Sequence, residues 1–255
     1  MQLTPLPALR DNYIWIAAHD GGGPAVIVDP SEAGPVLAAA AAGLEPAGIL
    51  LTHHHPDHIG GVPALLAHWP QLPVIAPVDE RITTATRRVG DGDTVELGSW
   101  RFEVIAVPGH TLSHVAYVGD GLLFCGDTLF SLGCGRLFEG SPAQMHASLS
   151  RLSALPGDTR VCCGHEYTLA NAAFARVVEP DNPALARRIE EAQAMRERGH
   201  PTLPSTIAGE CAANPFLRVD SADVRAALRR QLGREVRDSV DAFAELRRWK
   251  DGFVA

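Results

Sequence analysis

Leu50-Leu51-Thr52-His53-His54-His55-Pro56-Asp57-His58-Ile59-Gly60-Gly61 is the stretch on which the fold turns. An apolar run, Gly48 to Leu51, reads as a buried strand and stops at once in side chains that ligate metals. His53 and His55 are two residues apart, so on extended backbone both rings leave the same side. Asp57 and His58 are adjacent, which suits a turn into a helix, where neighbours diverge. Two donors on one side and two on another point to two metal ions rather than one. A solvated histidine cluster, or a single structural metal, is the plainer reading. A buried strand rarely ends in four such groups unless something binds them.

The rest of the composition sets bounds. A chain of 255 residues makes one large domain or two small ones and buries a sizeable core without staples. The hydrophobic fraction of 46% and charged fraction of 20% are those of a soluble globular protein. A net charge of -8 argues against general nucleic-acid binding. No apolar run reaches membrane-spanning length, and the N-terminus lacks the basic region and apolar core of a signal peptide. The five cysteines form no C-x-x-C pattern, and Cys162 and Cys163 are neighbours. A reduced, cytoplasmic setting is the simplest account; no nucleic-acid or membrane partner is expected, and a monomer is the expected state.

Strands are expected at Ile14 to Ala17, Ala25 to Val28 and Pro73 to Ala76, and helices at Pro35 to Ala42 and about Pro63 to Trp69. From Asp91 the pattern becomes antiparallel. Thr94 to Leu97 and Trp100 to Val107 flank a Gly98-Ser99 turn, and Val115 to Val118 and Leu122 to Cys125 flank Gly119-Asp120-Gly121. Pro142 to Leu155 reads as an amphipathic helix and Arg160 to Cys163 as a last strand. Beyond Tyr167 only helices are expected: Asn171 to Val178, Pro183 to Arg198, Ser221 to Leu232 and Glu235 to Lys250.

One grammar recurs four times: an apolar strand ends and a histidine or aspartate follows, at Thr52-His53, Gly109-His110, Gly126-Asp127 and Gly164-His165. Strand ends in a layered α/β fold converge on one edge, where sites form. Alone, His110 or His165 is more often a core or surface residue; with the His53 stretch they make a set. His53, His55, Asp57, His58, His110, Asp127 and His165 give seven groups. One catalytic zinc takes about three protein ligands and keeps an open position. Seven therefore divides as His53, His55 and His110 on one ion, and Asp57, His58 and His165 on the other. Asp127, the only aspartate heading one of the four strand-end sites, is the shared bridge. A hydroxide between the ions, beside Asp57 and His58, would be the nucleophile, because a coordinated water has its pKa lowered to about 7. The second ion would polarise a carbonyl. The expected cofactors are two divalent ions, zinc first, with iron or manganese compatible with the same donors.

Thr52-His53-x-His55-x-Asp57-His58, with His110, Asp127 and His165, resembles the metallo-β-lactamase superfamily. That resemblance implies an α/β fold, an αββα sandwich with a dinuclear site, here followed by a C-terminal helical domain. A narrower resemblance is to glyoxalase II, the hydroxyacylglutathione hydrolases. It is carried by Asp11-Asn12-Tyr13, Phe130, Gly133 to Gly140, Gly164 to Thr168, Asn214 to Arg218 and Arg247 to Asp251, and runs along essentially the whole chain. It implies hydrolysis of S-D-lactoylglutathione to glutathione and D-lactate, the second step of methylglyoxal detoxification. It also implies a catalytic domain over 1–168 and a helical glutathione-binding domain over 169–255, with glutathione contacts at Arg136, Phe138, Tyr167, Arg247 and Lys250. Cationic side chains suit a ligand with carboxylates, and Lys250 is the one lysine of the chain.

Two positions depart from the family. Some members have lysine and tyrosine where this chain has Arg136 and Phe138, so a hydroxyl is lost. Ser113 stands where glycine is common, and would cost stability if φ there were positive. His114 reads as a core or supporting residue, His54 as supporting or exposed, and His19, His68, His146 and His200 as surface residues. The competing readings on the same fold are a one-iron glutathione persulfide dioxygenase and a broader thioesterase or lactonase. A non-catalytic metal-binding or redox module would be a different class, but the cysteines offer no redox pair. If Asp127 is the bridge, Asp127→Ala loses both ions together, and elemental analysis of the purified variant checks this. Retention of two tightly held ions defeats the assignment.

Overall fold

The computed structural model describes residues 1–254; Ala255 lies outside the described part. Two compact units divide the chain: Met1–Ala106, Ser113–Gly126 and Cys162–Glu166 form the first, and Val107–Leu112, Asp127–Val161 and Tyr167–Ala255 the second.

The first unit carries a mixed sheet in the spatial order β1 (Gln2–Ala8), β2 (Asn12–Ala18), β3 (Ala25–Val28), β4 (Pro46–Leu50), β5 (Val74–Pro77) and β6 (Arg87–Val89). The first three strands are antiparallel, and β3 to β6 run parallel. Parallel neighbours need crossovers: helix α1 (Gly34–Ala41) joins β3 to β4, and α3 (Val62–His68), entered through the single turn α2 (Pro56–Ile59), joins β4 to β5, while β5 and β6 are joined by a loop. Val36, Val62 and Leu65 from the helices bury with Ile14, Ile27, Ile49, Leu51 and Val74 from the sheet. Burying each such side chain contributes about 1.5–3 kcal/mol.

β7 (Thr94–Leu97), β8 (Trp100–Ala106), β9 (Val115–Gly119) and β10 (Leu122–Gly126) form a second, antiparallel sheet, extended by β13 (Arg160–Cys163) and β14 (Ser205–Thr206). The β9–β10 turn has Asp120 at φ 51° and Gly121 at φ 71°, the left-handed pair that a two-residue hairpin requires. Within the first unit the two sheets face each other: Trp15 Nε1 donates to the Cys163 carbonyl at 2.9 Å, and the Tyr117 hydroxyl to the Leu51 carbonyl at 2.9 Å. That is the layered α/β architecture the sequence implied.

In the second unit a short hairpin, β11 (Leu129–Phe130) and β12 (Gly133–Cys134), is tied to helices. These are α4 (Pro142–Ser153), α5 (Thr168–Val178), α6 (Pro183–Glu197), α7 (Ile207–Ala213), α8 (Ala222–Leu232) and α9 (Ser239–Asp251). Buried Asn214 donates to the Phe130 and Gly133 carbonyls at 3.1 and 2.9 Å, and buried Glu210 accepts from the Leu132 amide at 2.8 Å. Each such bond contributes about 1 kcal/mol and would cost more left unmade.

Differences from the sequence reading have local causes. β1 was not expected, because Pro5 and Pro7 interrupt it; it is the edge strand of its sheet, where proline is tolerated. The two-residue β14 and the seven-residue α7 fall where only loop was expected. The last helix starts at Ser239 rather than Glu235, because the Asp238 carboxylate caps it by accepting from the Asp241 amide. Among the described residues, no helix is long and apolar enough to cross a membrane.

Candidate metal centre

The first unit gathers five of the seven expected ligands. β4 ends at Leu50, and Thr52, His53 and the β3–α1 turn at Asp29 come together there. Asp29 accepts from the Thr52 amide at 2.8 Å and from the Thr52 hydroxyl at 2.7 Å. That hydroxyl has one proton, so toward His53 Nδ1, 3.0 Å away, it can only accept. The bond fixes the His53 proton on Nδ1 and leaves Nε2 as a lone pair. His53 Nε2 lies 3.0 Å from His55 Nδ1. A proton on His55, or a cation shared by both rings, satisfies that pair.

Asp29 also accepts from His58 Nδ1, at 2.9 Å. Asp11 does the same for His165 Nδ1 at 2.8 Å. Both rings are thereby turned so that Nε2 faces Asp57 Oδ2, at 3.8 Å from His58 and 3.5 Å from His165. One ligand atom from each of Asp57, His58 and His165 lies within 4.8 Å of the other two. Imidazoles held by carboxylates at one nitrogen and presenting the other are the usual supporting arrangement of metal-binding histidines. The donor set therefore fits a divalent cation.

The second unit holds the other two. His110 Nδ1 donates to the Arg136 carbonyl at 2.8 Å, and Nε2 stands 3.5 Å from Asp127 Oδ2. Gly135 allows this: a Cβ there would lie 1.9 Å from the Asp127 carbonyl oxygen and 3.3 Å from His110 Nδ1. In the first unit, Gly126 has φ 47°, and a Cβ on it would meet the Thr52 hydroxyl at 2.3 Å. The glycines beside the strand-end ligands thus make room for supporting groups.

The groups expected to hold glutathione all fall in the second unit. The Arg136 guanidinium lies 5.6 Å from the ring centre of exposed Phe138 and 3.7 Å from Asp251. The Phe138 ring is 5.2 Å from His110, and Tyr167 stacks edge-on with Phe130 at 5.2 Å. Arg247 is buried: Nη1 donates to the Cys134 carbonyl at 3.0 Å, and Nε and Nη2 donate to Asp251 at 3.1 and 2.8 Å. Lys250 Nζ lies over Phe174 and Phe253, 5.6 and 5.8 Å from their ring centres. Burial and then the neighbouring Arg247 charge pull its pKa down. Burial pushes the Cys134 thiol up to about 11, so it is a neutral thiol at pH 7.

Several supporting residues were missed from sequence. Asp29 follows β3 and Asp79 lies just beyond β5, so both repeat the strand-end pattern. The Asp79 carboxylate accepts from Arg81 Nε at 2.8 Å and from the Ser113 hydroxyl, and stands 3.5 Å from His54 Nδ1. His54 is half-buried rather than exposed. Ser113 is not among the positive-φ residues, so the strain considered for it does not arise, and its hydroxyl has a use. His114 is buried and stacked on His53, centroids 4.5 Å apart. His68 and His200 are exposed, whereas His19 and His146 are half-buried against Trp100 and Phe243.

Residues 8–165 match the family model of the metallo-beta-lactamase superfamily, and residues 166–253 match that of the hydroxyacylglutathione hydrolase C-terminus. The chain is 60% identical, over the full length of both proteins, to a hydroxyacylglutathione hydrolase of Xanthomonas campestris pv. campestris strain B100. Among solved structures it resembles the BLEG-1 B3 metallo-beta-lactamase, with TM-score 0.64, 25% identity, and 85% of this chain and 99% of that one covered. It also resembles TTHA1623 in a di-iron-bound form, with TM-score 0.58, 27% identity, and coverage of 85% and 100%.

Hydrogen bonds from Arg81, foremost among the causes, hold the Asp79 carboxyl well below the usual carboxylate range. A carboxylate with a depressed native pKa stabilises the fold fully above its unfolded value of about 4, and that contribution is lost as pH falls below it. Asp79→Asn is expected to lower the urea midpoint at pH 7, with the gap to the unsubstituted protein narrowing below about pH 4. A gap that stays constant down to about pH 2 would contradict this.

Proposed function

This chain belongs to the hydroxyacylglutathione hydrolase family, within the metallo-beta-lactamase superfamily, and from that membership we propose that it hydrolyses S-D-lactoylglutathione to glutathione and D-lactate. The fold alone hosts many reactions. The observation that carries the reading is the match of helices α5 to α9 to the hydroxyacylglutathione hydrolase C-terminus, which favours it over a dioxygenase, thioesterase or lactonase on the same fold.

His53, His55 and His110 would hold one divalent cation and Asp57, His58 and His165 the other, with Asp127 available to both. Zinc is the expected metal; iron is compatible with the same donors and is carried by the similar TTHA1623 structure. When bound, such ions would supply a more acidic water and a polarised thioester carbonyl. The side chains do the rest. Asp57, whose carboxylate is 41% exposed, accepts a hydrogen bond from the attacking water, and His58 Nε2 is fixed beside it by Asp29. The water oxygen bonds to the acyl carbon, the C–S bond breaks, and the leaving sulfur takes up a proton from that water. No cysteine or serine nucleophile is required.

Residues 1–168 act as the catalytic domain and 169–255 as the glutathione-binding domain. Arg136, Phe138, Tyr167, Arg247 and Lys250 receive glutathione. Arg247 is already committed to Cys134 and Asp251, so its part is to hold the backbone beneath the ligand, while Arg136 and Lys250 face its carboxylates. Phe138 offers an apolar face in place of a hydroxyl. The chain works in the cytoplasm as a monomer.

Purified protein is expected to consume S-D-lactoylglutathione, read as loss of thioester absorbance, faster than it does simple alkyl thioesters. Equal rates on both would remove glutathione from the account. Lys250→Glu is expected to raise KM about tenfold or more with kcat changed less, as for a binding group remote from the reacting carbonyl. An unchanged KM would mean the C-terminal helix does not hold glutathione.

A further inference from the structure

The triplet Asp11-Asn12-Tyr13 is part of the family resemblance, yet the proposed reaction assigns it no task. In the structure all three residues grip the end of β13 or the Asp57 turn. The Asp11 carboxylate accepts from His165 Nδ1 at 2.8 Å, and its carbonyl accepts from the Glu166 amide at 2.8 Å. The Tyr13 amide donates to the Gly164 carbonyl at 2.8 Å, and its hydroxyl to Glu166 at 2.8 Å. Between them, Asn12 is buried and pairs through its backbone with His165 as an isolated antiparallel bridge.

The Asn12 side chain reaches the other way. Its Nδ2 donates to the Asp57 carbonyl at 2.9 Å and to Asp57 Oδ2 at 3.2 Å. Both partners are acceptors, so the amide orientation is settled by chemistry: only the NH₂ side can face them. The Asp57 carbonyl is available because α2 is a single turn. The amide that would reach it from four residues on, Gly61, donates instead to the Pro30 carbonyl at 2.8 Å. Asp57 Oδ2 is the same oxygen that His58 and His165 face.

We propose that Asn12 is a positioning residue for the Asp57, His58 and His165 ligand set. Its one NH₂ group locks the Asp57 carboxylate by fixing the carbonyl and side-chain oxygen of that residue at once, while its backbone registers His165. A carboxylate on an exposed single turn has two free torsions, and immobilising it beforehand lowers the ordering cost of ligation. The donor has to be an amide. A carboxylate of the same shape would present an acceptor and a negative charge to Asp57.

This inference rests on the proposed assignment of Asp57, His58 and His165 to one cation, and the test separates the two. Asn12→Ala and Asn12→Asp are prepared beside the unsubstituted protein. Zinc stoichiometry is measured by elemental analysis after dialysis, and zinc affinity by titration against a chromophoric chelator. Unfolding midpoints of the metal-free proteins report on packing. The unsubstituted protein is expected to hold two ions. Asn12→Ala is expected to weaken the second by about tenfold or more, with the first retained. Asn12→Asp, though closer in shape, is expected to weaken it further. If Asn12→Asp binds zinc better than Asn12→Ala, shape rather than donation is what matters and the inference falls, whatever the metal-free midpoints. If both variants keep two ions at unchanged affinity, the inference falls and the ligand assignment stands. If the unsubstituted protein holds fewer than two ions, the assignment falls and takes the inference with it.

Discussion

A neutral imidazole has one proton and two nitrogens, and the candidate centre depends on which nitrogen carries that proton. Asp29, Asp11, the Thr52 hydroxyl and the Arg136 carbonyl each accept from an Nδ1, at His58, His165, His53 and His110. Each bond leaves a lone pair on Nε2 and sets the rotation of its ring. Without those acceptors the rings would sample both tautomers and several rotamers, and the entropy of ordering them would count against ligation. The supporting groups thus decide what the ligands can do.

The same economy extends to the groups proposed for glutathione. Arg247 looks like a binding residue in the sequence, but three of its nitrogens already donate to Cys134 and Asp251. Its guanidinium also lies 5.1 Å from the centre of the Phe216 ring. It braces the β11–β12 hairpin from which Arg136 and Phe138 follow. Arg136, exposed, and Lys250, half-buried over two phenylalanine rings, keep charge available for a ligand.

Much of this was legible because strands that end in ligands announce themselves twice, by apolar composition and by the abrupt change to histidine. β10 and β13 were placed to within one residue and β4 to within two, and the ligand-bearing residues after them follow from that placement. What could not be read were features that depend on distant partners. Nothing in the sequence pairs Asp29 with His58, or Asp79 with Ser113, since each pair lies about thirty residues apart and meets only through the sheet. The Arg247 bonds to Cys134 and Asp251 were hidden for the same reason: charge is visible in a sequence, but its partners are not. The start of α9 moved because an N-cap at Asp238 outcompetes a generic helical pattern.

Pro5 and Pro7 sit on the outermost strand of the first sheet, opposite Trp15 and Tyr13. The unbroken register with β2 requires that their nitrogens point away from it, toward the outside. An open sheet margin normally offers amide hydrogens to any extended peptide that drifts past, and so seeds fibrils or unwanted association. Here two of those hydrogens do not exist. The prolines that hid the strand from a reading of the sequence therefore also guard the fold against templating further copies of itself.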